Sequence, residues 1–278
     1  MDERKRDEGE LKKLRKKIFL MGYRGKMAHL ASCFSALEIL YALYIKNVLR
    51  CDEKNAIWEE RDRFVLSKGH AGLALYAVLN QKGLIKDEVI DSYLQEKSII
   101  GGEPCMRDCE WIEATTGSLG HGLSIAAGMA MALKMNESKA KVYVLLGDGE
   151  CEEGTVWEAA MNASQYELDN LVVIMDYNKI QKMDLVENTI RNPRWNEKWR
   201  SFGFDVMEVD GHDVGQIQSV LKEQIEESGK PHIIIAHTIK GKGVSIMEGN
   251  PLWHFKLPNK KELKTFMTEL DISEEELV

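Results

Sequence analysis

The sequence predicts an α/β protein built on an open, mostly parallel sheet with helices on both faces. Three observations predict it. In the second half, apolar runs of strand length alternate with helix-length segments, the spacing of strand–helix–strand units. The run over 171–175 is solidly apolar rather than alternating, as parallel strands buried on both faces are. Glycines and polar residues gather just after the runs, where open α/β sheets place their ligands.

Leu11, Leu14, Ile18 and Phe19 recur at helical spacing, so the chain opens with an amphipathic helix. A second helix is expected over 35–46, with Leu37, Leu40, Tyr41 and Tyr44 on one face. Residues 64–66 form a short apolar run that ends in Ser67-Lys68-Gly69-His70, a strand entering a glycine turn. Gly117, Gly120 and Gly122 cluster ahead of a helix over 124–134. That helix is apolar nearly all round and rich in alanine, so burial on most faces is expected, at the centre or at an interface between chains. A strand over 142–146, a helix over 155–167 and a strand over 171–175 follow. Trp157 and Met161, four apart on that helix, read as core. A strand over 204–209 comes next, then a helix marked by Val214, Ile217, Val220, Leu221 and Ile225 with Asp213 as N-cap. The last strand covers 233–236, flanked by His232 and His237, which read as structural. No linker or repeat interrupts the pattern, so residues 1–278 are expected to form a single domain with frayed ends at about 1–10 and 270–278.

The chain has 278 residues, 44% hydrophobic and 29% charged, an ordinary globular composition. Its net charge of −8 argues against a general nucleic-acid or membrane-surface binder. The longest nearly uncharged apolar stretch, 123–133, falls far short of the ~20 residues that span a bilayer. The first residues are a dense charge mix with no apolar region behind them, so no secretory signal is expected and the location is expected to be cytoplasmic. Five cysteines without a CxxC pair suit free thiols and no zinc site.

The chemistry concentrates after three apolar runs. Gly147-Asp148-Gly149 follows the first strand of the second half, and Asp176-Tyr177-Asn178-Lys179-Ile180-Gln181 follows the next. Ser67-Lys68-Gly69-His70 follows 64–66. The glycines let the backbone turn sharply beside a bulky anion. Asp148 and Asn178 are hard oxygen donors, and Mg²⁺ takes such oxygens together with those of a phosphate ligand. A lone Gly-Asp-Gly is an ordinary strand-end turn; the Asn about thirty residues later, after the next apolar run, changes that balance.

The pair GDGECEEG and MDYNKIQ resembles the thiamine-diphosphate motif. With RDRFVLSKGHAGLALYAVL, EATTGSLGHGLSIAAGMA, VDGHD and TIKGKGVSIMEGNPLWH in order, the chain resembles the N-terminal, diphosphate-binding half of transketolase, in the form split over two subunits. The resemblance runs from about Ile18 to Pro258. It implies that Asp148, Asn178 and the Ile180 carbonyl hold Mg²⁺ or another divalent cation such as Ca²⁺ or Mn²⁺. It implies that Gly149, Asn178, His70 and His254 contact the diphosphate of thiamine diphosphate. Gly117, Ser118 and Leu119 would lie along that cofactor, with Leu119 near its aminopyrimidine. His29 would meet the substrate at the reacting carbons, with His70 and His254 beside it. Glu153 and Glu158 would link paired active sites across a dimer. His212 reads as a loop residue that bonds backbone.

No pyrimidine-binding half is present in this sequence. The resemblance therefore implies a partner, a separate C-terminal transketolase subunit, in an α2β2 assembly. The implied activity is transfer of a two-carbon ketol unit from a ketose or ketose phosphate to an aldose. Three positions depart from the family pattern: Glu103 stands in Gly-Glu-Pro where Gly-His-Pro is usual, His121 replaces the Gln of Gly-Gln-Gly, and Phe255 replaces the Gly after Trp-His. All three fall near the expected substrate pocket, with Glu103 at the donor, so a specialised or modified sugar is the alternative donor. Other readings fit less. A 2-oxoacid dehydrogenase α-type subunit shares the diphosphate motif but not SKGH, TTGSLG and KGKGVSIMEG together. A deoxyxylulose-phosphate synthase-like enzyme normally comes as one longer chain. A non-catalytic regulatory subunit would be marked by loss of Asp148 or Asn178, and both are present.

Overall fold

The computed structural model describes residues 2–182, 184–191, 194–225 and 228–277. In chain order the elements are α1 (Glu3–Arg24), α2 (Leu30–Tyr44), β1 (Arg63–Leu66), α3 (Gly72–Gln81), α4 (Asp87–Asp91), α5 (His121–Met135), β2 (Val142–Gly147), α6 (Gly154–Gln165), β3 (Leu171–Tyr177), β4 (Ile180–Gln181), β5 (Asp184–Leu185), α7 (Val186–Thr189), α8 (Trp195–Ser201), β6 (Asp205–Asp210), α9 (Val214–Glu223), β7 (His232–His237) and α10 (Lys260–Leu270). Five strands form one parallel sheet in the order β1-β2-β3-β7-β6, and β4 and β5 form a small antiparallel pair.

Alternate strand residues face two cores, because side chains in a strand point to opposite faces. Tyr143, Leu145, Val172 and Ile174 join the cluster built with α1, α2, α3, α9 and α10. Val144, Leu146, Val173 and Met175 join the cluster built with α5, α6 and α8. The step from β2 to β3 and the step from β6 to β7 run in opposite directions across the sheet. Their helices, α6 and α9, lie on opposite faces, as right-handed crossovers require. The reversal falls between β3 and β7, and ligands of open α/β sheets bind beside such a reversal at the carboxyl ends of the strands.

The elements differ from the sequence expectation in a few places. α2 begins five residues earlier than expected, at Leu30. β6 is an edge strand and only half-buried, which explains its weak apolar signal. α5 buries Gly122, Leu123, Ala126, Ala127 and Ala130, but Ser124, Gly128 and Ala132 face outward, so it is not covered on most faces within the chain. Met161 is exposed rather than core, whereas Trp157 packs its ring 4.8 Å from that of Trp199. Toward the start of the chain, α1 begins at Glu3, and Asp7 is buried against Lys46 at 2.9 Å. Near the other end, Glu276 pairs with Lys16 at 2.6 Å. α10 carries a capping box, Asn259 and Glu262, a sequence signature that marks its start. Asp213 caps α9 as expected, accepting from the Gln216 amide at 3.0 Å.

Candidate active site at the carboxyl ends of the strands

The ends of β1, β2, β3 and β7 open into a cleft of about 310 Å³. Hollows of about 420 and 560 Å³ beside α1 are larger but lie away from the strand ends. Register explains the convergence: Gly147 pairs with Asp176, and Tyr177 pairs with His237. Asp148, Asn178 and Thr238 therefore emerge side by side.

Asp148 is buried, and its two oxygens accept from the Gly149 amide at 2.8 Å and the Lys179 amide at 2.5 Å. Burial, together with the Asp176 carboxylate nearby, pushes its pKa up to about 7. Asn178 Oδ1 accepts from the Ile180 amide at 3.1 Å, and its Nδ2 donates to Asp176 at 3.2 Å. Ile180 lies in the same lining, and its carbonyl accepts from Lys240 Nζ at 2.8 Å. Among the described residues no three His, Cys, Asp or Glu side chains group as a metal-ligand set. A divalent ion here would instead rest on one carboxylate plus amide and carbonyl oxygens, a donor set suited to Mg²⁺ with phosphate oxygens completing it. A buried carboxylate held up near pH 7 is what such an ion would keep ionised.

Three imidazoles face one another across the cleft. Ring centres are 5.4 Å apart for His29 and His70, 5.6 Å for His29 and His254, and 6.1 Å for His70 and His254. Burial and then the Lys240 ammonium push His29 down to about 4 and His254 down to about 3. Burial and Lys68 hold His70 well below its ordinary value. At neutral pH all three are therefore neutral, able to accept from or donate to a hydroxyl. His254 Nδ1 accepts from Lys240 Nζ at 2.9 Å, which leaves its proton on Nε2.

Glu103 and Leu119 line the same cleft, as do Gly117 and Gly149. Gly117 has φ +133°, and a Cβ there would fall 1.9 Å from a Glu103 carboxylate oxygen. A Cβ at Gly69 would fall 2.8 Å from the Gly117 nitrogen, so two backbones touch at the cleft wall. Glu153 lines the cleft at the start of α6. Ser118 and Glu158 are exposed outside the lining: Glu158 lies on the outer side of α6, and Ser118 Oγ approaches His121 Nδ1 at 3.4 Å. Phe255 is exposed, with its ring 4.7 Å from that of His29.

Four charged residues, three lining the cleft and Asp176 buried beneath it, were not singled out by sequence reasoning. Lys240 donates to the Ile180 carbonyl at 2.8 Å and lines the cleft. Lys68 is buried and paired with Asp176. Glu150 clasps three segments, accepting from Ser67 Oγ, from the Gly120 amide at 2.8 Å and from the Gly147 amide at 2.9 Å. The signal was in the motifs themselves, which carry Lys68 in SKGH, Glu150 after GDG, Asp176 before YN and Lys240 in TIKGKG.

Residues 23–275 match the family model described as transketolase, thiamine diphosphate binding domain. The chain is 40% identical over 264 residues to an apulose-4-phosphate transketolase subunit of Actinobacillus succinogenes, covering 95% of each. It is 39% identical over 245 residues to the 6-deoxy-6-sulfo-D-fructose transketolase subunit SqwG of a Clostridium species, covering 88% of this chain and 89% of that one. Transketolase from Campylobacter jejuni superposes with a TM-score of 0.84 at 28% identity, over 95% of this chain and 43% of that one. The chain thus spans under half the length of that solved transketolase. By sequence and by fold, the chain belongs to the transketolase family and carries its thiamine-diphosphate-binding domain.

Proposed function

We propose that this chain is the diphosphate-binding subunit of a two-chain transketolase, a Mg²⁺- and thiamine-diphosphate-dependent transferase. The observation that carries this is the convergence of Asp148, Asn178, the Ile180 carbonyl, His70, His254 and Lys240 in one strand-end cleft. When bound, the cofactor supplies a carbon nucleophile that adds to a ketose carbonyl and carries a two-carbon unit to an aldose. Asp148, Asn178 and the Ile180 carbonyl hold the divalent ion. Gly149, Asn178, His70, His254 and Lys240 bind the diphosphate, and Gly117, Ser118 and Leu119 lie along the cofactor. His29, His70 and His254, kept neutral by burial and by the two lysines, hold or move protons on substrate hydroxyls. Glu153 and Glu158 act where paired subunits meet. The outward Ser124, Gly128 and Ala132 side of α5 suits close contact with another chain in an α2β2 assembly with the pyrimidine-binding subunit. A cytoplasmic location is consistent with this, and among the described residues no helix is long and apolar enough to cross a membrane.

The test is reconstitution. The full chain with a pyrimidine-binding partner, Mg²⁺ and thiamine diphosphate is expected to convert a ketose donor and aldose acceptor, and the chain alone is expected to show no turnover. Turnover without the partner would overturn the two-chain reading.

The donor is proposed to be a modified ketose rather than the ordinary pentose phosphate, since Glu103 and Phe255 both reach the cleft region. An ionised Glu103 accepts a hydrogen bond but cannot donate one, and it repels an anionic group that comes close. Glu103→His is expected to change kcat/KM for xylulose 5-phosphate relative to an unphosphorylated or modified ketose by about tenfold, or about 1.4 kcal/mol of discrimination. Equal change for every donor would remove Glu103 from donor selection.

A further inference from the structure

Lys240 stands on the segment after β7, and that segment is gripped on both sides of it. On one side, the Ile239 amide donates to His212 Nε2 at 2.8 Å. On the other, Arg15 Nε donates to the Lys242 carbonyl at 2.7 Å. Between them, the Gly241 amide donates to the Ala31 carbonyl at 3.0 Å. The two side-chain grips share one carboxylate. Arg15 Nη2 is bonded to Glu38 Oε1, and His212 Nδ1 lies 3.2 Å from Glu38 Oε2. Since His212 Nε2 accepts an N–H, the imidazole proton sits on Nδ1, and that nitrogen and Glu38 Oε2 make a close electrostatic contact rather than an aligned hydrogen bond.

The arrangement joins distant parts of the chain: Arg15 from α1, Glu38 from α2, and His212 from the turn between β6 and α9. Arg15 and Glu38 are 7% and 4% exposed. Burial pushes the Glu38 carboxyl up, but Arg15 and His212 outweigh it and hold it below its ordinary value. Gly243 has φ +97°, and a Cβ there would fall 2.6 Å from Arg15 Cδ, so the segment lies directly against the arginine. None of the three residues lines the cleft. Whatever they do for the site, they do through the backbone at 239–242.

We propose that Glu38, Arg15 and His212 form a positioning brace that fixes the Lys240 segment and so sets how tightly the cleft holds an anionic ligand. The inference rests on the reading of that ligand as thiamine diphosphate. Geometry supports a positioning role because each flank of Lys240 is held by a separate arm, which fixes the root of a side chain whose ammonium is held in turn by the Ile180 carbonyl and His254 Nδ1. His212 is the arm to test. It sits at the edge of the core, its side chain 12% exposed, so its loss leaves the Arg15–Glu38 pair in place.

The experiment uses His212→Leu. Amide hydrogen exchange is measured first on the cofactor-free full chain. Exchange at residues 239–242 is expected to rise about tenfold, with the rest of the chain unchanged. Calorimetry on the complex with the partner subunit is then expected to show the thiamine diphosphate Kd raised about tenfold in the presence of Mg²⁺. kcat at saturating cofactor is expected to recover, and the donor KM to hold. In a Lys240→Met background, His212→Leu is expected to add little further loss, since residues that act through one another are not additive. Three results would each overturn the brace: faster exchange spread over the whole chain, an unchanged Kd, or full additivity with Lys240→Met. A wild-type complex that fails to bind thiamine diphosphate would overturn the reading of the site instead, and the exchange rates would still judge the brace.

Discussion

Asp148→Asn is expected to raise the thiamine diphosphate Kd by about a hundredfold or more, measured by calorimetry on the assembled complex with Mg²⁺. Losing even a group that merely orients a metal ligand typically costs about 10–100-fold. Asp148 is the only carboxylate in the proposed ligand set, so its loss should exceed that range. The substitution keeps the shape and one oxygen acceptor for the Gly149 or Lys179 amide. It removes a buried charge that burial and Asp176 already disfavour. The cofactor-free chain should therefore keep its fold and melt within a few degrees of wild type. The distinguishing result is the cofactor-induced rise in melting temperature. A ligand present at about a hundred times its Kd stabilises by about 2.7 kcal/mol, and a hundredfold weaker one by only about 0.4 kcal/mol. An unchanged Mg²⁺-dependent affinity would remove Asp148 from the metal.

Much of the fold was legible because the parallel strands are apolar on both faces. β2, β3 and β7 read as continuous runs and are buried almost throughout. β6 was harder, since an edge strand needs only one neighbour and shows more polar residues. The strand order was not legible at all. The pairing of β3 with β7 rather than β6 depends on which face each crossover helix takes, a long-range outcome with no local signature. For the site, the motif residues Asp148, Asn178, His70 and His254 were found in sequence, and the structure places them in one lining. Glu158 and Ser118 were carried over on motif position alone, and a monomer's cleft leaves both outside. The charges that organise the cleft were missed for a physical reason. A buried lysine or carboxylate looks like any surface charge in a sequence, and only the fold reveals that Lys68 and Asp176 share the sheet's interior.

That buried pair carries the largest expected effect on stability. Asp176 accepts from Lys68 Nζ, from Ser35 Oγ at 2.6 Å, from Thr238 Oγ1 and from Asn178 Nδ2 at 3.2 Å. It therefore ties α2, β1, β3 and the end of β7 into one network beneath the cleft. Burial alone would push the Asp176 carboxyl up, but Lys68 and the hydroxyl donors outweigh it and hold it below its ordinary value. Lys68→Met fills a similar volume but leaves the carboxylate buried with only neutral donors. Removing one partner of a buried ion pair typically costs about 3–5 kcal/mol. At about 2–4 °C per kcal/mol for a chain near this size, the melting temperature should fall by about 6–20 °C. Lys68→Met/Asp176→Leu is expected to lose less than the sum of the two single variants, because the second change removes the stranded charge. Asp176→Leu alone strands the ammonium instead and should fall in the same range. The measurement is differential scanning calorimetry of the three variants without cofactor. A single-variant loss under about 1 kcal/mol, the ordinary worth of an exposed pair, would mean that water reaches Lys68 and that the interior beneath the cleft is open.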